Sequence, residues 1–178
     1  MRKLYFDLDG TILDLSTGLP KAALAHGRLE AAIRRARVDE LVCVGNFVGL
    51  VHAMETLRPG YDGLGGLFAL CDNAFDDEGW FRERVRLAAD PKFRAVEVDL
   101  SADGWYMDDE GERYFAYAGL IGIWQEHLGK RILRPLPRGD GEDVLTWMAW
   151  LAGQSPGPSD GPVPTGDPAD PSGSARHE

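Results

Sequence analysis

The sequence predicts an α/β protein built on a mainly parallel sheet with a small insertion, and three observations carry that expectation. Short apolar runs alternate with longer stretches of helical periodicity, the pattern of successive strand-helix units. Gly, Pro or acidic residues bound each run and punctuate the chain there. The first run closes on two carboxylates, Asp7 and Asp9, at the C-terminal end of an expected strand, the edge at which open α/β sheets bind ligands.

Taken in order, Lys3–Asp7 reads as the first strand. Pro20–Arg37 follows as one amphipathic helix, with Ala22, Leu24, Ala25, Leu29, Ala32, Ile33 and Ala36 at helical spacing and basic residues toward its C-terminal end. Glu40–Gly45 is the second strand, and Asn46–Leu57 a helix stopped by Pro59 and Gly60. The interval 59–89 is rich first in Gly and then in aromatic and basic residues, among them Phe75, Trp80, Phe81, Arg82, Arg84 and Arg86. It reads as a specificity insertion or cap over the end of the sheet rather than part of the sheet. Asp90 and Pro91 supply an N-cap and a first-turn proline for a third helix running to about Ala102. Trp105–Asp108 and Arg131–Leu136 are the remaining strands, and Gly141–Leu151, apolar along Val144, Leu145, Trp147, Met148 and Leu151, is a last helix packed back on the sheet. Residues 153–178, dominated by Pro, Gly, Ser and Asp, bury too little to offset their ordering entropy and read as a flexible tail to a core spanning 1–152.

Composition bounds the function. A chain of 178 residues suits one domain with a hydrophobic core, and 44% hydrophobic with 27% charged residues is ordinary for a globular protein. The formal net charge of −10 argues against a nucleic-acid surface, while leaving room for a local pocket that binds a small phosphorylated ligand. Cys43 and Cys71 lack CxxC spacing and read as free structural thiols of a reducing compartment. The apolar stretch after Met1-Arg2-Lys3 is too short for a signal peptide, and no run of about 20 apolar residues occurs, so a cytoplasmic protein with no membrane association is expected.

The chemistry gathers at Phe6-Asp7-Leu8-Asp9-Gly10-Thr11. Two carboxylates held this close repel each other unless a cation lies between them or one keeps its proton. With Mg²⁺ as that cation, Asp7 is placed to attack phosphorus as a nucleophile and Asp9 to serve as general acid and base. Gly10 lets the backbone approach a phosphate closely, with neighbouring N–H groups available to its oxygens. As a plain strand-to-turn connection, Asp-x-Asp-Gly would need no such chemistry.

The full run Phe6-Asp7-Leu8-Asp9-Gly10-Thr11-Ile12-Leu13-Asp14 closely resembles the first motif of the haloacid dehalogenase-like (HAD) superfamily. The resemblance implies a Rossmann-like three-layer α/β/α core, with Asp7 as nucleophile, Asp9 as general acid and base, and the Asp9 carbonyl as a Mg²⁺ ligand. Gly10 and Thr11 would bind the substrate phosphate. The family's second motif carries a Ser or Thr at the end of the next strand, and here Gly45 stands in that position, leaving a backbone N–H or the Asn46 amide to take over. A lysine near a helix start makes the third motif, for which Lys92 is the candidate and Arg82, Arg84 or Arg86 the alternatives. Trp105-Tyr106-Met107 followed by Asp108-Asp109-Glu110-Gly111-Glu112 fits the fourth motif, which implies Asp108 and Asp109 as metal ligands beside Asp7 and Asp9.

The function expected from this resemblance is a Mg²⁺-dependent phosphatase that hydrolyses phosphomonoesters through an aspartyl-phosphate. With only about one helix between the first two motifs, no large cap fits there, so the 59–89 interval, with Trp80 and Phe81, is the expected cover of the ligand. Such an open site suits a phosphorylated small molecule or a larger phosphorylated substrate. The competing expectation is a HAD-fold binding or regulatory protein of weak or no activity, motivated by Gly45 and by the unsettled lysine. A metal-free dehalogenase is disfavoured by the presence of Asp9 and of the acidic run at 108–112.

Overall fold

The computed structural model describes residues 1–89, 97–100 and 103–154. Among them, five short strands form one all-parallel sheet flanked by helices, compatible with a Rossmann-like three-layer arrangement. The strands are β1 (Lys3–Phe6), β2 (Glu40–Cys43), β3 (Val85–Leu87), β4 (Gly104–Met107) and β5 (Ile132–Leu133). Their order across the sheet is β3-β2-β1-β4-β5. The chain therefore builds outward from β1 to one side and then jumps back across it to build the other, which puts a topological switch point between β1 and β4.

The helices are α1 (Arg28–Arg35), α2 (Asn46–Leu57), α3 (Gly63–Cys71), α4 (Glu78–Arg82), α5 (Gly111–Tyr117), α6 (Ile121–His127) and α7 (Glu142–Gly153). Burial on both faces explains why the central strands read as continuous apolar runs. Leu4, Phe6, Leu41 and Met107 turn to one face and meet Leu29 and Ile33 of α1 and Val144 and Met148 of α7. Tyr106, one residue out of phase, turns to the other face and meets Phe115 of α5, which in turn packs on Trp124 of α6, each pair with ring centroids 5.5 Å apart. No helix among the described residues is long and apolar enough to cross a membrane, and Cys43 and Cys71 are free and buried.

The structure departs from the sequence reading in three places. The expected helix over 20–37 is broken: a single 3-10 turn at Ala22–Leu24 precedes α1, and between them His26 and Gly27 take positive φ of 55° and 69°, which no continuing helix permits. The 59–89 interval does not lie over the sheet end as a separate insertion. It contains α3 and α4, and Val85–Leu87 pairs in parallel with Leu41–Cys43 as a full member of the sheet. Phe81, expected to cover a ligand, is wholly buried, stacked on Phe75 at 3.8 Å and edge-on to Phe68 at 5.0 Å. The Arg34 and Arg84 guanidinium groups lie over the Trp80 ring, 4.1 and 4.7 Å from its centre. The helix expected from Pro91 falls mostly outside the described residues, as do Lys92 and the tail beyond Gln154.

Candidate active site

The two strands that flank the switch point deliver the acidic residues. One residue past β1, the Asp7 N–H donates to the Met107 carbonyl at 3.0 Å, and one residue past β4, the Asp108 N–H donates to the Leu133 carbonyl at 3.2 Å. The ladder thus runs on just far enough to fix both backbones before the chain leaves the sheet.

After Asp7 the chain closes a tight turn, with the Ile12 and Leu13 N–H groups both donating to the Leu8 carbonyl, at 2.9 and 2.8 Å. Gly10 sits in this turn at φ +79°, and a Cβ there would stand 2.8 Å from the Asp109 Cγ, so both the backbone and the neighbour demand glycine. The turn presses Thr11, fully buried, against Asp109. Its Oγ1 donates to Asp109 Oδ1 at 3.1 Å and accepts from the Asp109 N–H at 3.1 Å. Thr11, expected at the substrate, instead spends its hydroxyl on orienting Asp109.

Asp108 is buried and oriented on both oxygens: Oδ2 accepts from the Tyr106 hydroxyl and Oδ1 from the Glu110 N–H at 2.8 Å. Asp7, Asp108 and Asp109 are all buried, and one carboxylate oxygen from each lies within 4.8 Å of the others. Burial holds the Asp109 carboxyl above the usual carboxylate range; the Thr11 hydroxyl pulls it down, while the charges of Asp108 and Glu110 push it further up. Three buried carboxylates at this separation are costly without a cation. An all-oxygen donor set of this kind suits a hard divalent ion such as Mg²⁺, and these three side chains are the ones that would hold it.

A cavity of about 340 Å³ opens at this edge, with Asp7, Asp9, Asn46 and Asp109 in its wall. Asp9, expected among the metal ligands, is exposed at the cavity and is not one of the three clustered carboxylates. Asn46 opens α2 at the cavity and its Oδ1 accepts from the Tyr114 hydroxyl at 3.4 Å. Gly45, which precedes it, explains the missing hydroxyl. A Cβ at this position would collide with Asp7 Oδ1 and stand 3.2 Å from the Leu8 nitrogen, so the Asp7 carboxylate occupies the space a serine would need.

The alternative cations lie elsewhere. Arg82 pairs with Glu78 and Asp62, Arg84 lies on the Trp80 ring, and Arg86 donates to Glu40 at 2.6 Å and to Glu97. None of the three lines the cavity. Sequence reasoning missed Arg134, whose Nε donates to the Asp109 carbonyl at 3.3 Å and whose Nη1 is 3.8 Å from Glu112. Its signal was available, because an arginine directly after the apolar end of a strand falls at the ligand-binding edge of the sheet. Glu112, the last acid of the run, lies on α5 and pairs there with Arg134.

Asp14, the last residue of the resembled run, and the loop after it carry no role in the sequence reading. The Ser16 and Thr17 N–H groups donate to Asp14 Oδ1 at 2.9 and 3.0 Å, the Asp14 N–H donates to the Leu19 carbonyl at 2.9 Å, and Leu13 bridges Pro20 in antiparallel fashion. Residues 14–19 thereby form a short flap at the cavity, and Asp14 and Leu15 stand in the cavity wall. Hydrogen bonds from Ser16, its hydroxyl foremost, hold the Asp14 carboxyl below the usual range.

No family model, no curated protein and no solved structure matches this chain.

Proposed function

We propose that this chain is a Mg²⁺-dependent phosphomonoester hydrolase of the HAD type, working through an aspartyl-phosphate on Asp7. The observation that carries the reading is the convergence of Asp7, Asp108 and Asp109, from the ends of the two central strands, on one point beside the cavity. The resemblance of residues 6–14 to the first motif of that family supports it independently.

In this reading a carboxylate oxygen of Asp7 attacks the phosphorus atom and the bond to the ester oxygen breaks. Asp9 donates a proton to the departing alcohol, then takes one from the water that attacks the aspartyl-phosphate, which frees inorganic phosphate and regenerates Asp7. Mg²⁺ held by the three carboxylates would offset phosphate charge as a Lewis acid. The backbone N–H groups at the start of α2, next to Asp7 through Gly45, are placed to receive phosphoryl oxygens. Thr11 and Tyr106 act indirectly, by holding Asp109 and Asp108.

A second reading, a metal-binding protein of this fold with little turnover, is favoured by one observation: Gly45 leaves no room for a hydroxyl beside Asp7. Release of 4-nitrophenol from 4-nitrophenyl phosphate, with and without Mg²⁺, decides between them. The phosphatase reading expects Mg²⁺-dependent turnover that Asp7→Asn abolishes by a factor on the order of a thousand or more. Equal rates from wild type and Asp7→Asn would overturn it.

A further inference from the structure

Monomeric proteins expose large apolar side chains singly, and a group of them around one concavity marks a contact surface. Among the described residues Leu15 and Leu19 are 61% and 63% exposed, Leu50 is 58% exposed and Tyr117 is 84% exposed. All four belong to the elements that build the cavity mouth. Leu15 and Leu19 are on the flap, and Leu15 lines the cavity itself. Leu50 lies four residues after Asn46 on α2, and Tyr117 three residues after Tyr114 on α5, so each shares a helix face with a residue of the cavity wall. Each of the three elements that line the acidic cavity thus carries an exposed apolar group within about one helical turn of a lining position, an apolar rim beside the mouth.

The charge of the cavity is the second observation. Beyond the buried triad, its wall carries the carboxylates of Asp9, Asp14 and Glu110, and among the described residues no lysine or arginine lines it. The whole chain bears a formal charge of −10. Such a surface repels nucleic acid and anionic lipid, and attracts a segment whose own charge is positive.

We propose that the substrate is a phosphorylated protein segment, with basic residues beside the phosphorylated one and an apolar residue that packs on the rim of Leu15, Leu19, Leu50 and Tyr117. The inference rests on the phosphatase reading and names the substrate of that same site. The phosphoryl group enters the cavity toward Asp7, the basic neighbours face Asp9 and Glu110, and the apolar neighbour covers the leucines. A small metabolite that fits within about 340 Å³ would leave the rim uncovered.

The test uses a short fluorescein-labelled phosphothreonine peptide flanked by Arg and Leu, the same peptide flanked by Glu and Gly, its unphosphorylated form, 4-nitrophenyl phosphate and phosphoethanolamine. Turnover and binding anisotropy in Mg²⁺ are measured for the full chain and for Leu19→Ser/Leu50→Ser/Tyr117→Ser, three exposed positions whose replacement spares the core. We expect the Arg/Leu peptide to be preferred over the Glu/Gly peptide by about tenfold or more in kcat/KM, and the triple variant to lose that preference while hydrolysing 4-nitrophenyl phosphate as the wild type does. If no ester is hydrolysed yet the phosphopeptide binds about tenfold more weakly to the triple variant, the docking surface stands and the phosphatase reading fails. Equal handling of the peptide by both proteins, or preference for phosphoethanolamine, overturns the proposal.

Discussion

Asp109 joins three physical demands at one residue: it is buried, it is oriented by Thr11, and it lies within reach of two further carboxylates. Because burial raises its pKa in the folded, metal-free chain, the unfolded chain releases this proton first as pH rises from below the ordinary value of 3.8. Its contribution is therefore favourable at low pH and is lost as pH rises through the folded pKa. In EDTA, Asp109→Asn should melt above the wild type at neutral pH, and the difference should vanish as pH falls below about 4. Mg²⁺ should reverse the ranking at neutral pH by stabilising the wild type more. A variant that melts with the wild type across the whole pH range would show that Asp109 carries no such penalty. Thr11→Val removes both hydrogen bonds to Asp109 without changing side-chain volume much, and should cost about 1–3 kcal/mol in urea denaturation. At this scale the carboxylates were legible, since Asp7, Asp108 and Asp109 follow apolar runs at a sheet edge. The task of Thr11 was not, because its partner is 98 residues away and only the folded turn brings them together.

An element can be read from sequence when its periodicity is long enough to dominate. Asn46–Leu57 forms as expected, whereas Val85–Leu87 is three residues long, carries an arginine in the middle, and follows aromatic and basic residues that resemble a surface insertion. Arg86 is tolerated there because β3 is the outer strand and Glu40 and Glu97 meet its guanidinium. The consequence for residues 59–89 is testable. Phe81→Ala should cost about 3–5 kcal/mol and lower the cooperative melting transition of the whole domain, because the ring it removes is part of the core and not a substrate cover. A Phe81→Ala protein of unchanged stability and altered substrate preference would restore the insertion reading. Gly45→Ser provides the matching check at the start of α2. Restoring the hydroxyl of the resembled motif should lower activity rather than raise it, by about tenfold or more, because the new Cβ displaces the Asp7 carboxylate. Higher kcat for Gly45→Ser with 4-nitrophenyl phosphate would show that the carboxylate has room to move aside.

Across the whole molecule, the parallel sheet and its ligand edge were accessible because strand-helix alternation and a first strand ending in carboxylates constrain where such a sheet binds, whereas the order of its strands was not read. What ties the opposite edge together was not accessible, because it depends on one side chain near the N-terminus reaching helix ends far along the chain. Arg2 is buried beneath the sheet, where Nη1 donates to the Ala36 and Leu151 carbonyls and Nη2 to the Gln154 carbonyl, the last two at 2.9 and 2.7 Å. Its guanidinium also lies 5.2 Å from the centre of the Trp105 ring, with Arg131 4.3 Å from the same centre. One guanidinium therefore caps the C-terminal ends of α1 and α7 and joins them to β1 and β4, closing the layer of helices that backs the site. Methionine at this position keeps most of the apolar stem and removes every donor, so the carbonyls at both helix ends lose a buried partner. Arg2→Met should cost about 2–4 kcal/mol, a fall of roughly 4–16 °C in Tm for a domain of this size. Arg35→Met, the same exchange at an exposed position of α1, should change Tm little. Mg²⁺ affinity measured by calorimetry well below the transition should be the same in Arg2→Met as in the wild type, since Arg2 acts at the edge opposite Asp7. Coincident melting of Arg2→Met and the wild type would show that water replaces the guanidinium at no cost, and the two helix ends would then be held by their apolar packing alone.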